Sequence, residues 1–248
     1  MRTLTISDPA FGRSTGPPVP GSCAALWWAD DLADTGDSNP VSAWTDRVNG
    51  HVVSASSTRR PTFRLTGLAS RPSVQFDGSD DCLALSAPNP VSVSSTGSVV
   101  VVAAISGGTP WSSGDDATSN NYLLGIRDNG SSQFRMQLNP GAPSASIAYT
   151  STPDAAPHVF EWSATGASGG WSIRYDNVVR SLSGVNPGTW FGAVSGRDRF
   201  GLGGLVYNST TNNFLTGHLA LVLVTDAVLS PGDRSSLYAW ISGRYGIA

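Results

Sequence analysis

The sequence predicts an all-β chain that forms one domain, closes with a single helix and begins with an extended arm. Three observations carry this. The 28 Gly and 16 Pro are spread along all 248 residues, which suits many short strands joined by turns. The longest apolar runs, residues 99–105 and 219–224, have the length of buried strands and are too short to span a bilayer. One stretch near the C-terminus carries helical spacing and helix-start signals. A hydrophobic content of 40% over this length is enough for one good core, and all-β sandwiches of this size are commonly single domains.

The elements follow in order. Residues 1–22 read as an arm. Thr3-Leu4-Thr5-Ile6 alternates like a short strand, and the prolines between Phe11 and Gly21 remove donors and favour extended backbone. Leu4, Ile6, Phe11 and Val19 give this arm apolar groups with which to dock on a partner. The domain, residues 23–248, opens with a strand through Trp27 and Trp28 and a polar loop over residues 30–40. Next come Trp44-Thr45-Asp46-Arg47 and Arg60-Pro61-Thr62-Phe63. Val74-Gln75-Phe76 alternates as a half-buried strand, and Asp77-Gly78 supplies its turn. Residues 98–105 form an apolar central strand, and residues 122–126, 134–138 and 146–149 are shorter ones. Residues 158–163 and 170–175 form the next pair, with Asp176-Asn177 as a turn before Val178-Val179-Arg180. Phe200-Gly201-Leu202-Gly203-Gly204 is a glycine-rich strand, and residues 214–224 close the core. In the helix, Ser230 caps, Pro231 suits the first turn, and Asp233 stands at the capping-box position. Leu237, Trp240 and Ile241 share the face turned to the sandwich, and Gly243 is placed to terminate the helix.

Two segments together resemble a known family. Arg71-Pro72-Ser73-Val74-Gln75-Phe76-Asp77-Gly78 near the middle, and Leu229-Ser230-Pro231-Gly232-Asp233-Arg234 with the aromatic helix after it, resemble the laminin-G-like branch of the concanavalin A-like lectin and glucanase superfamily. The tryptophan strand, the Trp-x-Asp turn and the X-Pro step fill out the same pattern over residues 23–247. The resemblance implies a two-sheet antiparallel jelly-roll sandwich. Its members bind glycans, cut glycans or decorate larger assemblies, so the resemblance implies the scaffold more firmly than the task.

Composition and motifs narrow the chemistry. The net charge is −3 and every basic residue is Arg, with no clustered basic surface for nucleic acid. Hydrolytic relatives use paired carboxylates on one strand. Here Glu161 is the only glutamate and has no acidic neighbour at strand spacing, so the reading is not an enzyme. No Gly-x-Ser-x-Gly elbow occurs. His51, His158 and His218 lie in unrelated contexts without ligand spacing for zinc; His158 and His218 are expected to hydrogen-bond locally. No cofactor is expected. Calcium, which many relatives bind, is the one metal with candidate loops. These are Asp30, Asp31, Asp34 and Asp37; Asp77, Asp80 and Asp81; and Asp115 and Asp116. Turn closure by local hydrogen bonds is the competing account of them. Cys23 and Cys82, the only cysteines, read as reduced, with a single bridge as the alternative.

Aromatic residues are the lead for glycan contact, because sugar faces stack on exposed rings. Six of the eight tryptophans fall on strands, a turn or the helix. Trp111 and Trp190 fall in stretches that read as loops, and they are the candidate glycan-contacting residues; plugging the end of the sandwich is their alternative role. The expected function is a non-enzymatic structural or decoration protein of a bacteriophage virion, on head or tail, displaying a lectin-like domain. It would be made in the host cytoplasm, since the N-terminus carries no apolar signal core. The expected partners are virion proteins docked through the arm, surface glycans, and further copies of the chain in a homo-oligomer. A stand-alone bacterial lectin module is the alternative, and a glycoside hydrolase a lesser one.

Overall fold

The computed structural model describes residues 16–85, 91–117, 121–128, 132–140, 145–150 and 156–247. The strands, in chain order, are β1 (Cys23–Trp28), β2 (Ala43–Thr45), β3 (Val52–Ser54), β4 (Thr62–Leu68), β5 (Arg71–Asp77), β6 (Leu83–Ala84), β7 (Gly97–Gly114), β8 (Asn121–Asp128) and β9 (Gln133–Pro140). They continue with β10 (Ala145–Thr150), β11 (His158–Ala164), β12 (Trp171–Tyr175), β13 (Val178–Val179), β14 (Ser183–Gly184), β15 (Arg199–Leu202), β16 (Leu205–Tyr207), β17 (Thr210–Asn212) and β18 (Thr216–Thr225), before the helix α1 (Pro231–Tyr245).

Two antiparallel sheets share β7. The first runs β13-β12-β11-β7-β18, and the far side of β18 pairs with β5 and then with β1. The second runs β2-β3-β6-β15-β7-β8-β9-β10-β14. The strand expected over residues 98–105 is longer than its apolar run: β7 pairs with β18 as far as Gly107, then passes into the second sheet from Gly108. Gly108 makes the switch with φ +86, and a Cβ there would meet the backbone of Phe214 and Leu215.

Burial explains the apolar run. Val99, Val101, Ala103 and Ile105 face the core between the sheets, while Val100, Val102 and Ala104 face outward under α1. A sheet covered on both faces reads as continuously apolar. The helix forms as expected at its start. The Ser230 oxygen accepts from the Asp233 N–H at 3.1 Å, and its hydroxyl donates back to the Asp233 carboxylate at 2.7 Å. Its end differs: the chain stays helical through Gly243 to Tyr245 and stops at Gly246, which holds φ +68 and donates to the Ser242 carbonyl. Tyr245 and Ile247 are buried against the sheet, and this burial carries the helix past the first glycine.

The only glutamate fastens this helix. Glu161 is 1% exposed. It receives Nε and Nη2 of Arg234 at 2.9 and 2.7 Å and the Tyr238 hydroxyl at 3.3 Å. The hydrogen bonds to Glu161 hold the Arg234 guanidinium above its ordinary range; burial first, and the Glu161 charge next, push the Tyr238 hydroxyl up.

The Trp-x-Asp turn is an anchor for β1. Trp27 donates its indole N–H to the Trp44 carbonyl at 3.1 Å, and Trp44 donates to the Trp28 carbonyl at 3.3 Å. Asp46 accepts the N–H groups of Val48, Asn49 and His51. The turn then caps the free edge of β1 through Arg47 N–H to the Leu26 carbonyl. Leu4, Ile6 and Phe11 of the arm lie outside the described residues. Of its described part, Pro17 and Pro20 are buried, Gly16 sits against Arg47 and Trp28, and Val19 is 51% exposed.

Candidate functional site

With α1 on the outer face of the first sheet, the outer face of the second is the broad surface left for a ligand. Along β8 this face carries Tyr122, Leu124 and Ile126; along β9, Arg135, Gln137 and Asn139; along β10, Ser146 and Ala148, as the ladder register requires. The β16–β17 hairpin lies across one side of it. The glycine-rich strand makes this possible. Gly203, with φ +81, turns the chain back, and Gly201 leaves room for Val206, whose Cγ1 would lie 2.7 Å from a Cβ there. Ser112 then fixes the hairpin, donating to the Gly204 carbonyl at 2.8 Å and accepting from the Val206 N–H at 3.1 Å.

Where hairpin meets sheet, two tyrosines face each other. The rings of Tyr122 and Tyr207 are 5.2 Å apart at 50° and both are half-buried. Gln137 Nε2 donates to the Tyr122 hydroxyl at 3.2 Å, and Asn212 Nδ2 to the Tyr207 hydroxyl at 3.3 Å. Each hydroxyl is thereby held by a side-chain amide, and Tyr122 is bonded by the Asn139 side chain as well. Burial raises the Tyr122 hydroxyl above its ordinary value, so it stays protonated. Asn212 Oδ1 is buried and accepts from no described residue. Two part-open rings with amide-held hydroxyls are suited to a polyhydroxylated ligand with an apolar face.

The glycan contacts expected from sequence are corrected here. Trp111 and Trp190 are both 0% exposed. Trp111 belongs to β7 and not to a loop. It packs edge-on to Trp162 and Phe191, 5.8 and 5.7 Å away, and Trp190 stacks on Phe191 at 4.6 Å. Neither ring offers a face to a sugar; they fill the core, the alternative role the sequence left open. Tyr122 and Tyr207, which the structure brings together on the open face instead, carry no sequence signal beyond alternation on their strands.

Several of the metal candidates are engaged in turns and ion pairs. Arg244 pairs with Asp30, Arg47 with Asp31, and Arg199 with Asp116 at 2.6 Å. Asp37 accepts the Leu65 N–H. Asp77, Asp80 and Asp81 bring carboxylate oxygens within 4.8 Å of one another, three of the six to eight oxygens calcium takes. Two of the three already serve the backbone, Asp81 accepting from Asp77 N–H and Asp77 from Ser79 N–H. The histidines bond locally, His158 to Asp176 at 2.6 Å and His218 to Ser73 at 3.1 Å. Both cysteines are free thiols, Cys23 opening β1 and Cys82 just preceding β6, and burial pushes each up to about 12; the single bridge does not form.

No known family model and no curated protein matches the chain. Solved structures do. The sialidase of Trypanosoma rangeli in complex with sialic acid aligns over 98% of this chain and 36% of its own, with a TM-score of 0.62 at 13% identity. The CBM40 of the Ruminococcus gnavus IT-sialidase, bound to α2,3 sialyllactose, aligns over 59% of this chain and 83% of its own, with a TM-score of 0.50 at 15% identity. The K499G mutant of NanB sialidase from Streptococcus pneumoniae aligns over 66% and 27%, with a TM-score of 0.51 at 10% identity. The chain spans about a third of the length of the two sialidases. At these identities the likeness is one of fold, a lectin-like antiparallel β-sandwich.

Proposed function

We propose that this chain is a non-enzymatic, glycan-binding module of the lectin-like kind, and that the ligand lies on the outer face of the second sheet against Tyr122 and Tyr207. The observation that carries this is the tyrosine pair with its amide-held hydroxyls at the foot of the hairpin. The fold neighbours, one of them a carbohydrate-binding module bound to sialyllactose, support it. The engagement of Glu161 beneath the helix supports the non-catalytic part, since it ties the sole glutamate to a structural task. The test is a glycan array followed by calorimetry on the best ligand. Tyr122→Ala and Tyr207→Ala should each weaken that ligand by about 10-fold, the equivalent of one ring contact. A chain that retains no glycan, or a double variant that binds unchanged, overturns the reading.

For the setting, we propose display on a bacteriophage particle, with residues 1–22 as the docking arm. The support is the seating of Gly16 against Trp28 and Arg47 and the burial of Pro17 and Pro20, with Val19 left exposed. Deleting residues 1–22 should free the domain from particles while leaving glycan affinity intact. A glycan-binding chain that no particle carries points instead to a stand-alone lectin.

A further inference from the structure

Arg197 is a half-buried cation whose opposing charge is its chain neighbour Asp198. Among the described residues no carboxylate pairs with it. Three neutral oxygens hold it instead: the Phe191 carbonyl accepts from Nε at 3.0 Å, the Ser113 hydroxyl from Nη1 at 3.1 Å, and the Ser92 carbonyl from Nη2. The guanidinium also lies over the Phe191 ring at 5.1 Å. A guanidinium has five N–H donors, so one on Nη1 and one on Nη2 remain. Burial lowers its affinity for its own proton to about 10, offset in part by the charge of Asp198.

A depression of about 310 Å³ opens beside it, lined by Arg197, Val93, Val194, Phe191, Gly192 and Gly196. Val93 is 76% exposed at its mouth. Two parallel N–H groups match the two oxygens of a carboxylate. A phosphate or sulfate monoester fits less well. Its second charge or third oxygen would find no second cation here, and Asp198 stands next in the chain. The exposed Val93 side chain suits the C–H face of a sugar ring.

We propose that the depression at Arg197 is a subsite for the carboxylate of an acidic sugar, separate from the tyrosine face. As an acidic-sugar site it rests on the glycan-binding reading, but its test does not depend on the tyrosines. The chain, isotopically labelled, is titrated with glucuronate and, in parallel, with glucose. Glucuronate should shift the backbone amides of Gly192, Val194 and Gly196 saturably, and glucose should not. Val93→Glu sets a competing carboxylate at an exposed position and should weaken glucuronate at least about 10-fold without disturbing the fold. Arg197→Lys keeps a charge but loses the fork and should weaken it as well. Tyr122→Ala should leave the glucuronate titration unchanged. Equal shifts by the two sugars, no shifts at these amides, or indifference to Val93→Glu overturns the subsite. None of these results touches the glycan reading at the tyrosine face, which stands or falls on the array and on the tyrosine variants.

Discussion

Asp81 illustrates how one buried side chain sets a pH dependence. Burial, and then the charges of Asp77 and Asp80, push its carboxyl up to about 6, against the opposing hydrogen bond from the Asp77 N–H. The folded chain therefore holds this proton more tightly than the unfolded chain, whose carboxyl titrates near 4. The resulting cost is absent below about pH 4, grows as the pH rises to about 6, and is complete above that. Asp81→Asn keeps an oxygen for the Asp77 N–H and imitates the protonated form. It should raise stability at pH 7 by about 1 kcal/mol, allowing for solvent screening at this loop, and give no gain at pH 4. Urea denaturation at the two pH values checks this, and calcium ligation by the three aspartates would reverse the sign at pH 7. At the same scale, Trp111 and Trp190 mark where the sequence misleads. Gly107-Gly108-Thr109-Pro110 has the punctuation of a loop, yet the glycine serves a bulge at which a strand changes sheets. The indole of Trp111 is admitted by a second glycine across the ladder, Gly125, whose Cβ would lie 2.5 Å from Nε1. Nothing local to Trp111 in sequence encodes that partner.

The hairpin β16–β17 is the element on which the site depends. The glycine-rich run was legible as a strand, and β15 is one. Its purpose was not legible, because Gly201 and Gly203 answer to Val206 and Phe76, contacts that exist only once the chain has folded back. Gly201→Val would drive the new side chain into Val206. Overpacking of this kind costs about 1–3 kcal/mol, and here the cost should fall on the hairpin. Amides of residues 205–212 should exchange faster with solvent, and glycan affinity should drop through Tyr207 with Tyr122 intact. Unchanged exchange there would separate the hairpin from the site. The helix gives the opposite lesson. Its start was readable from Ser230, Pro231 and Asp233 because a cap is a local device. Its end needed Tyr245 and Ile247 to meet the sheet, a tertiary contact that chooses Gly246 over Gly243.

The whole molecule is three layers, helix on sheet on sheet, and this order decides which surfaces can act. The first sheet is covered on both faces, so its strands β7 and β18 are apolar throughout and were the easiest to read. The second sheet is covered on one face and by the hairpin on part of the other, so its strands alternate and its polar residues are left for a ligand. The hairpin is bound into this architecture from two directions, by Val206 on Gly201 and by the Ser112 hydrogen bonds. The Gly203-Gly204 turn that leads into it also covers Cys82, which is buried with Sγ 3.1 Å from a Cβ on Gly204. The thiol, pushed up to about 12 by burial, should be inert to thiol reagents at pH 8 in the folded chain. If the hairpin is held as tightly as these contacts imply, it opens only when the sandwich does. Cys82 labelling should then rise with urea along the same slope as global unfolding. In a Cys23→Ser background, which isolates Cys82, a shallower slope would mean that the hairpin lifts alone and that Tyr207 enters the glycan site through a local opening.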